Sequence, residues 1–309
     1  MNKLVKTKNK FKNKEIDKWE FIDDMYDIHS SLFDYSEFLC DTNISKIEIV
    51  DNKVVMSFRD SKIKFICKKN DKRLAPLDVL NFNEYERAEL DMQLALIDSD
   101  FTVFDIGGNF GWYAMNVAKS KPNSHVLTFE PIPFTFQSLN ENIQLNKIEN
   151  IESYNFGFSD KEGSFDFFYD PMLSVNASLA NVSGNERTET VTCMVKELDN
   201  FVNEENIKVD FIKCDVEGAE FFVFKGGVNL IKRDLPIIFT EMLRKWTAKF
   251  NYHPNEIIAL FKDLGYSCFS LTEDKLELFD LVTEDTSETN FFFLHNVKHV
   301  AQISRFVRT

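Results

Sequence analysis

The stretch Val103-Phe104-Asp105-Ile106-Gly107-Gly108-Asn109-Phe110-Gly111 constrains this chain more than any other part of it. It joins a nearly continuous apolar run, Phe101 to Ile106, to a helical pattern, Trp112 to Lys119. An apolar run of that length, closed by glycines, reads as a strand buried on both faces. Such a strand needs helices above and below it, which is the arrangement of a parallel α/β sheet. Gly107 allows a tight turn with unusual φ and lets backbone approach a ligand closely. The helix that follows presents free N–H groups and the positive end of its dipole.

The alternation continues beyond this unit. His125 to Glu130 reads as a second strand, Phe134 to Leu145 as a helix and Ile151 to Phe156 as a third strand. Val209 to Cys214, Pro236 to Glu241, Tyr266 to Leu271 and Phe291 to Leu294 supply further strands, with a helix over Asn255 to Leu264. The expected fold is therefore a doubly wound, mostly parallel α/β sheet of Rossmann-like type. Right-handed crossovers place its strand ends along one rim. Ser164 to Tyr169 and Thr190 to Val195 read as an antiparallel excursion, and Asp170 to Arg187, rich in Asn and Ser, as a surface loop or lid. Residues 1–82 differ in texture. A helix over Trp19 to Leu39 and strands over Lys46 to Val50, Val54 to Phe58 and Ile63 to Cys67 make a small α+β cap. Residues 83–309 form the main domain, opening with a helix over Asn83 to Ile97.

Charge narrows the function. Fifty acids against 36 Lys and Arg leave a net charge of -14, which argues against nucleic acid as the partner. The seven lysines from Lys3 to Lys18 read as a solvated N-terminal arm rather than a tether to an anionic surface. Five scattered cysteines without a CxxC pair fit reduced thiols and a cytoplasmic protein, and give no metal-ligand spacing. No apolar run suggests a leader or a membrane span. Oligomeric state is not legible.

The turn after the first strand suits a carboxylate such as that of S-adenosylmethionine (SAM), with Asp105 as an acceptor for the ligand's ammonium. A dinucleotide site needs G-x-G-x-x-G. Gly108 and Gly111 fit the last two positions, but the first falls on Ile106, so SAM is preferred to a nicotinamide cofactor. Glu130, at the end of the next strand and before Pro131, can accept hydrogen bonds from vicinal ribose hydroxyls. Lys213-Cys214-Asp215-Val216-Glu217-Gly218-Ala219-Glu220 crowds four charges at a central strand end. Charges so placed must face a cleft or each other.

In combination these motifs resemble the FkbM-type methyltransferases. Asp105 to Gly111 is similar to their D-I-G-A-N-x-G, with Gly108 as a conservative departure from Ala. Glu130-Pro131 resembles their E-P, Ser159-Asp160-Lys161-Glu162-Gly163 their S-D-x-x-G, and Lys213 to Glu220 their K-I-D-V-E-G-x-E, with Cys214 in place of Ile. Asn83-Glu84-Tyr85-Glu86 resembles the element upstream of their first strand. The resemblance implies a SAM-dependent methyltransferase, usually one that O-methylates sugars or hydroxylated metabolites. It places Asp105, Gly107, Asn109 and Gly111 at the methionine end of SAM, Glu130 at the ribose and Gly157 near the adenine. Tyr85 and Glu86 would close the site.

A hydroxyl acceptor must lose a proton, so a general base helps. Candidates are Asp215, Glu241 at the end of its strand, and His253 in a loop; no metal is assigned. The expected partner is a small-molecule or glycan hydroxyl. Competing readings are a nicotinamide-dependent oxidoreductase and a non-catalytic SAM-binding interaction protein.

Overall fold

The computed structural model describes residues 2–69, 71–170, 173–179 and 188–308. Two helices lead the chain, α1 (Lys3–Lys12) and α2 (Lys18–Phe38). The lysine-rich segment is thus a helix rather than a frayed arm. It contains no Gly or Pro, and the Asn2 side chain caps it by accepting from the Val5 N–H at 2.9 Å. Asp17 caps α2 in the same way, accepting from the N–H groups of Trp19 and Glu20. Strands β1 (Ile44–Val50), β2 (Lys53–Phe58) and β3 (Lys64–Cys67) form an antiparallel sheet. Asp51 and Asn52 both take positive φ in its first turn, the geometry of a two-residue hairpin.

Next come α3 (Ala75–Phe82) and α4 (Arg87–Leu96). The helix expected over Asn83 to Ile97 is therefore shorter, starting at Arg87, and a separate helix, α3, precedes it. Pro76 opens α3, and Asn83 closes it in the left-handed conformation. The main unit then runs β4 (Thr102–Ile106), α5 (Trp112–Ser120), β5 (His125–Phe129), α6 (Pro133–Asn146) and β6 (Ile151–Tyr154). A small sheet follows, from β7 (Gly157–Phe158), β8 (Gly163–Asp170), β9 (Leu173–Ser178) and β10 (Glu189–Lys196). Part of the expected loop is thus the strand β9, paired antiparallel with β8; residues 180–187 of it lie outside the described residues. Then come α7 (Leu198–Glu204), β11 (Phe211–Cys214), α8 (Glu220–Lys225), α9 (Val228–Asp234), β12 (Ile237–Glu241), α10 (Arg244–Thr247) and α11 (Asn255–Asp263). Strands β13 (Tyr266–Thr272), β14 (Lys275–Leu278) and β15 (Asn290–His295), and helix α12 (Val300–Phe306), complete the chain's elements.

The eight-stranded sheet has the order β14-β13-β15-β12-β11-β4-β5-β6. Its strands β12, β11, β4, β5 and β6 are parallel, and β15 runs antiparallel beside β12. The chain starts at β4, winds outward to β6, then crosses back to β11. The switch point therefore lies between β4 and β11, where an open α/β sheet leaves a crevice. Side chains alternate across the sheet. Val103, Val126, Phe211 and Phe239 face one core, while Phe104, Leu127, Ile212 and Ile238 face the other. The first core runs unbroken into the N-terminal sheet: Phe58 and Phe65 pack on Trp112 with centroids 5.4 and 5.8 Å away. The second holds an aromatic cluster in which Tyr154 and Phe158 each pack on both Phe129 and Phe201, which also touch each other.

Candidate functional site

The crevice at the switch point is an open cleft lined by residues that follow β4, β5 and β11, the place where an open α/β sheet binds its ligand. Its floor is the glycine turn after β4. The N–H groups of Gly107 and Gly108 both donate to the Phe129 carbonyl, at 3.0 and 2.9 Å, which pins the turn to the end of β5. Gly107 has φ +78°, and a Cβ there would lie 1.9 Å from the Asp215 carbonyl oxygen. No other residue type fits so close an approach between the ends of β4 and β11.

Gly108 is constrained differently. Its φ is ordinary, but a Cβ would lie 2.0 Å from Thr128 Oγ1. That hydroxyl donates to Asp105 Oδ2 at 3.1 Å. The departure from Ala, conservative by sequence, is thus required here by Thr128, one strand away.

Asp105 is 2% exposed and sits beneath the turn rather than on the cleft wall. Its Oδ1 makes no hydrogen bond but lies 3.4 Å from Lys213 Nζ. Lys213 rises from β11 into the middle of the site. Its Nζ donates to the Gly107 carbonyl at 2.8 Å, lies 3.9 Å from Asp215 Oδ2 and stands over the Tyr113 ring. Burial alone would lower its pKa, but Asp105, Asp215 and Glu86 hold it above the ordinary lysine value.

Glu130 is buried at the end of β5. Its two oxygens accept from the N–H groups of Asn109 and Ile132, at 3.0 and 2.9 Å, so the carboxyl is fixed in orientation. Burial pushes its pKa up to about 7 against the pull of those two bonds. A carboxylate has about four lone-pair positions, so each oxygen keeps one for a ligand. Pro131, Gly157, Phe158 and Phe167 line the cleft beyond it. Phe167, a core residue of the β8 excursion, thus also serves the wall.

Tyr85 and Glu86 close the opposite side. Glu86 holds the left-handed conformation at φ +44° and accepts from the Tyr113 hydroxyl at 2.8 Å. Burial raises its pKa to about 7. Tyr85 packs edge-on against Trp112, whose indole N–H is buried without a partner. Asn109 lines the cleft, and its side-chain oxygen is likewise buried and unpartnered. Gly111, at φ +97°, opens α5 and does not line the cleft.

The β11 side of the cleft is acidic. Asp215 and Glu217 line it, with Glu217 in the left-handed conformation at φ +57° and its Oε2 buried without a partner. Burial, then Asp215 and Glu241, push the Glu217 pKa well up. Glu241 ends β12 outside the lining residues; burial and Asp215 push it well up too. Glu220 turns away from the cleft: its Oε1 accepts from the Val216 and Gly218 N–H groups, at 2.9 and 3.1 Å. The site therefore brings together Tyr85, Glu86, Gly107, Asn109, Glu130, Gly157 and Asp215. His253 is left out: it is exposed and precedes α11, its Nδ1 accepting from the Asn255 N–H at 3.3 Å. Sequence reasoning missed Thr128, Tyr113 and Trp112, which ordinary core periodicity conceals. Among the described residues no group of three or more His, Cys, Asp or Glu could hold a metal ion, and no helix is long and apolar enough to cross a membrane.

Comparisons with known proteins place this geometry in context. Residues 105–268 match the family model described as the methyltransferase FkbM domain. Methyltransferase 1 of Beauveria bassiana is 29% identical over 151 residues, covering 43% of this chain and 61% of that protein. The hexuronic acid methyltransferase AglP of Haloferax volcanii is 28% identical over 150 residues, covering 47% of this chain and 59% of that protein. The alignments thus span about three-fifths of these two relatives. A crystal structure of methyltransferase FkbM from Methylobacillus flagellatus aligns at a TM-score of 0.43 with 16% identity, over 71% of this chain and 53% of that one.

Proposed function

Because this chain belongs to the FkbM methyltransferase family, we propose that it methylates a hydroxyl of a neutral sugar or related hydroxylated metabolite, with SAM as the donor. SAM supplies a methyl group already activated on a sulfonium. The observation that carries the reading is the set of buried polar groups left without protein partners around the cleft: the side-chain oxygens of Asn109 and Glu217 and the Trp112 N–H. Buried polar groups are costly when unpaired, and the residues that carry these line the same cleft as the fixed Glu130 carboxyl.

The residues present fit the donor. Glu130 would hold the ribose with the lone pairs its two amide partners leave free. The wall of Pro131, Gly157, Phe158 and Phe167 offers apolar surface for the adenine. Asn109 and the first turn of α5 would hold the methionine end, over the buried charge of Asp105. Lys213 neutralises Asp105 and keeps the turn closed through the Gly107 carbonyl.

Beyond the end of β11, the Asp215 carboxylate takes the acceptor's proton, and alignment of the acceptor oxygen supplies much of the remaining catalysis. Glu217, whose carboxyl burial pushes well up, lines the cleft beside it and would hydrogen-bond a neighbouring acceptor oxygen. Lys213 is the one cation among the described lining residues, and it is already engaged with Asp105. An acceptor bearing a carboxylate would meet Asp215 and Glu217 unpaired, so the acceptor is neutral, unlike the acid named for the Haloferax relative.

Isothermal titration of the purified protein with SAM, S-adenosylhomocysteine and NAD tests the core of this reading. Saturable binding of the first two without NAD is expected, and NAD binding alone overturns it. Asp215→Asn should leave SAM affinity within about twofold and reduce turnover by about 10²–10⁴-fold, the usual scale of general-base catalysis.

A further inference from the structure

The N-terminal hairpin is built as an interface. Neither α1 nor α2 contains a buried residue, although α2 spans 21 residues, about 31 Å at the α-helical rise. Trp19, Ile22, Tyr26 and Phe33 recur at spacings of three, four and seven, so they share one stripe. They are 71%, 42%, 62% and 65% exposed. A stripe of that kind marks an interaction surface rather than scattered exposure.

Charge identifies the occupant. Helix α1 carries five lysines and no acid, while α2 carries six acids and one lysine. Within one chain the two helices meet through Phe11 stacked on Phe21, with centroids 4.5 Å apart. No ion pair joins an α1 lysine to an α2 carboxylate among the described residues. Asp23 and Asp27 lie one turn apart beside the apolar stripe, and Lys6 and Lys10 one turn apart on α1. One hairpin thus offers both halves of a charge-complementary surface, each unsatisfied in cis. That self-complementarity is what a two-fold interface between identical chains requires. An anionic lipid surface would attract α1 but repel α2, and the apolar stripe belongs to α2.

We propose that this chain forms a two-fold homodimer through its α1–α2 hairpins. The Trp19-Ile22-Tyr26-Phe33 stripes face each other, and the lysines of α1 in one copy meet the acids of α2 in its partner. The proposal does not rest on the enzymatic reading, because the hairpin lies outside the cleft.

Sedimentation velocity of the full chain is the test. A dimer is expected for the unmodified protein, and a monomer for Ile22→Glu/Phe33→Glu with unchanged circular dichroism, since both side chains are exposed. Lys6→Glu/Lys10→Glu and Asp23→Lys/Asp27→Lys should each weaken the dimer at least about tenfold, or about 1.4 kcal/mol. Mixing the two charge variants should restore a dimer, because each then meets its complement twice. A monomeric unmodified protein, a dimer that survives Ile22→Glu/Phe33→Glu, or charge variants that fail to pair on mixing would overturn the proposal. So would a monomer that binds phosphatidylserine vesicles through the hairpin.

Discussion

The fit of Gly108 against Thr128 yields a prediction that can be worked through from the structure. In Gly108→Ala the new Cβ falls 2.0 Å from Thr128 Oγ1. Backbone conformation contributes nothing to the cost, because Gly108 is not among the positive-φ residues. Thr128 is fully buried, so its hydroxyl cannot swing away freely. Overpacking of this kind costs about 1–3 kcal/mol. Displacing the hydroxyl also removes its bond to the Asp105 carboxylate, worth about 1.5–3 kcal/mol for a charged acceptor. Thr128→Ala loses that bond without the clash. The double variant should therefore resemble Thr128→Ala alone, with a favourable coupling equal to the whole Gly108→Ala loss, about 2.5–6 kcal/mol. Urea denaturation of the four proteins measures the stability cycle, and SAM titration measures whether Asp105 keeps its alignment. If the double variant loses the sum of the two single losses, the steric argument fails. If Gly108→Ala alone is neutral, the turn relaxes more than this packing allows.

Two further predictions follow from burial and charge. Lys213→Met leaves Asp105 buried without its cation and should cost about 3–5 kcal/mol by urea denaturation; a loss below about 1 kcal/mol would show that Lys213 and Asp105 are not a pair. Glu86, Glu130 and Glu220 are each raised by burial from 4.5 to about 7, so the folded state binds more protons than the unfolded state between those values. Stability of the ligand-free protein should then fall as pH rises through that window. His299, lowered by burial from 6.5 to about 4, and His295, also lowered by burial, act in the opposite sense, but Glu217 and Glu241, both raised by burial, add to the three carboxyls. Urea midpoints at about pH 5 and about pH 8 check the sign, and Glu130→Gln should flatten the slope; a rise in stability over that interval would contradict the assignment.

Much of the fold was legible because it rests on local pattern. The apolar runs at Phe101 to Ile106, His125 to Glu130 and Val209 to Cys214 became β4, β5 and β11. Their two-residue period sorts side chains between the sheet's two faces. The glycine turn was legible because a tight strand-to-helix turn tolerates few residue types. Helix α3 was not, because its start depends on Leu74-Ala75-Pro76 packing against the N-terminal sheet, a contact between distant segments. Strand β9 was missed because pairing with β8 outweighs the loop-like composition of its segment.

At the site, sequence alone determined which strand ends would carry acids and which turn would be free of side chains. Tertiary structure decided what those groups do. It set Asp105 beneath the turn, committed Lys213 to it, and placed Thr128 where Gly108 must lack a Cβ. It left His253 at a helix start and Glu241 outside the lining residues. The physical reason is that burial and Coulomb interaction depend on distances through space. Lys213 and Gly107 are 106 positions apart in the chain and 2.8 Å apart in the fold.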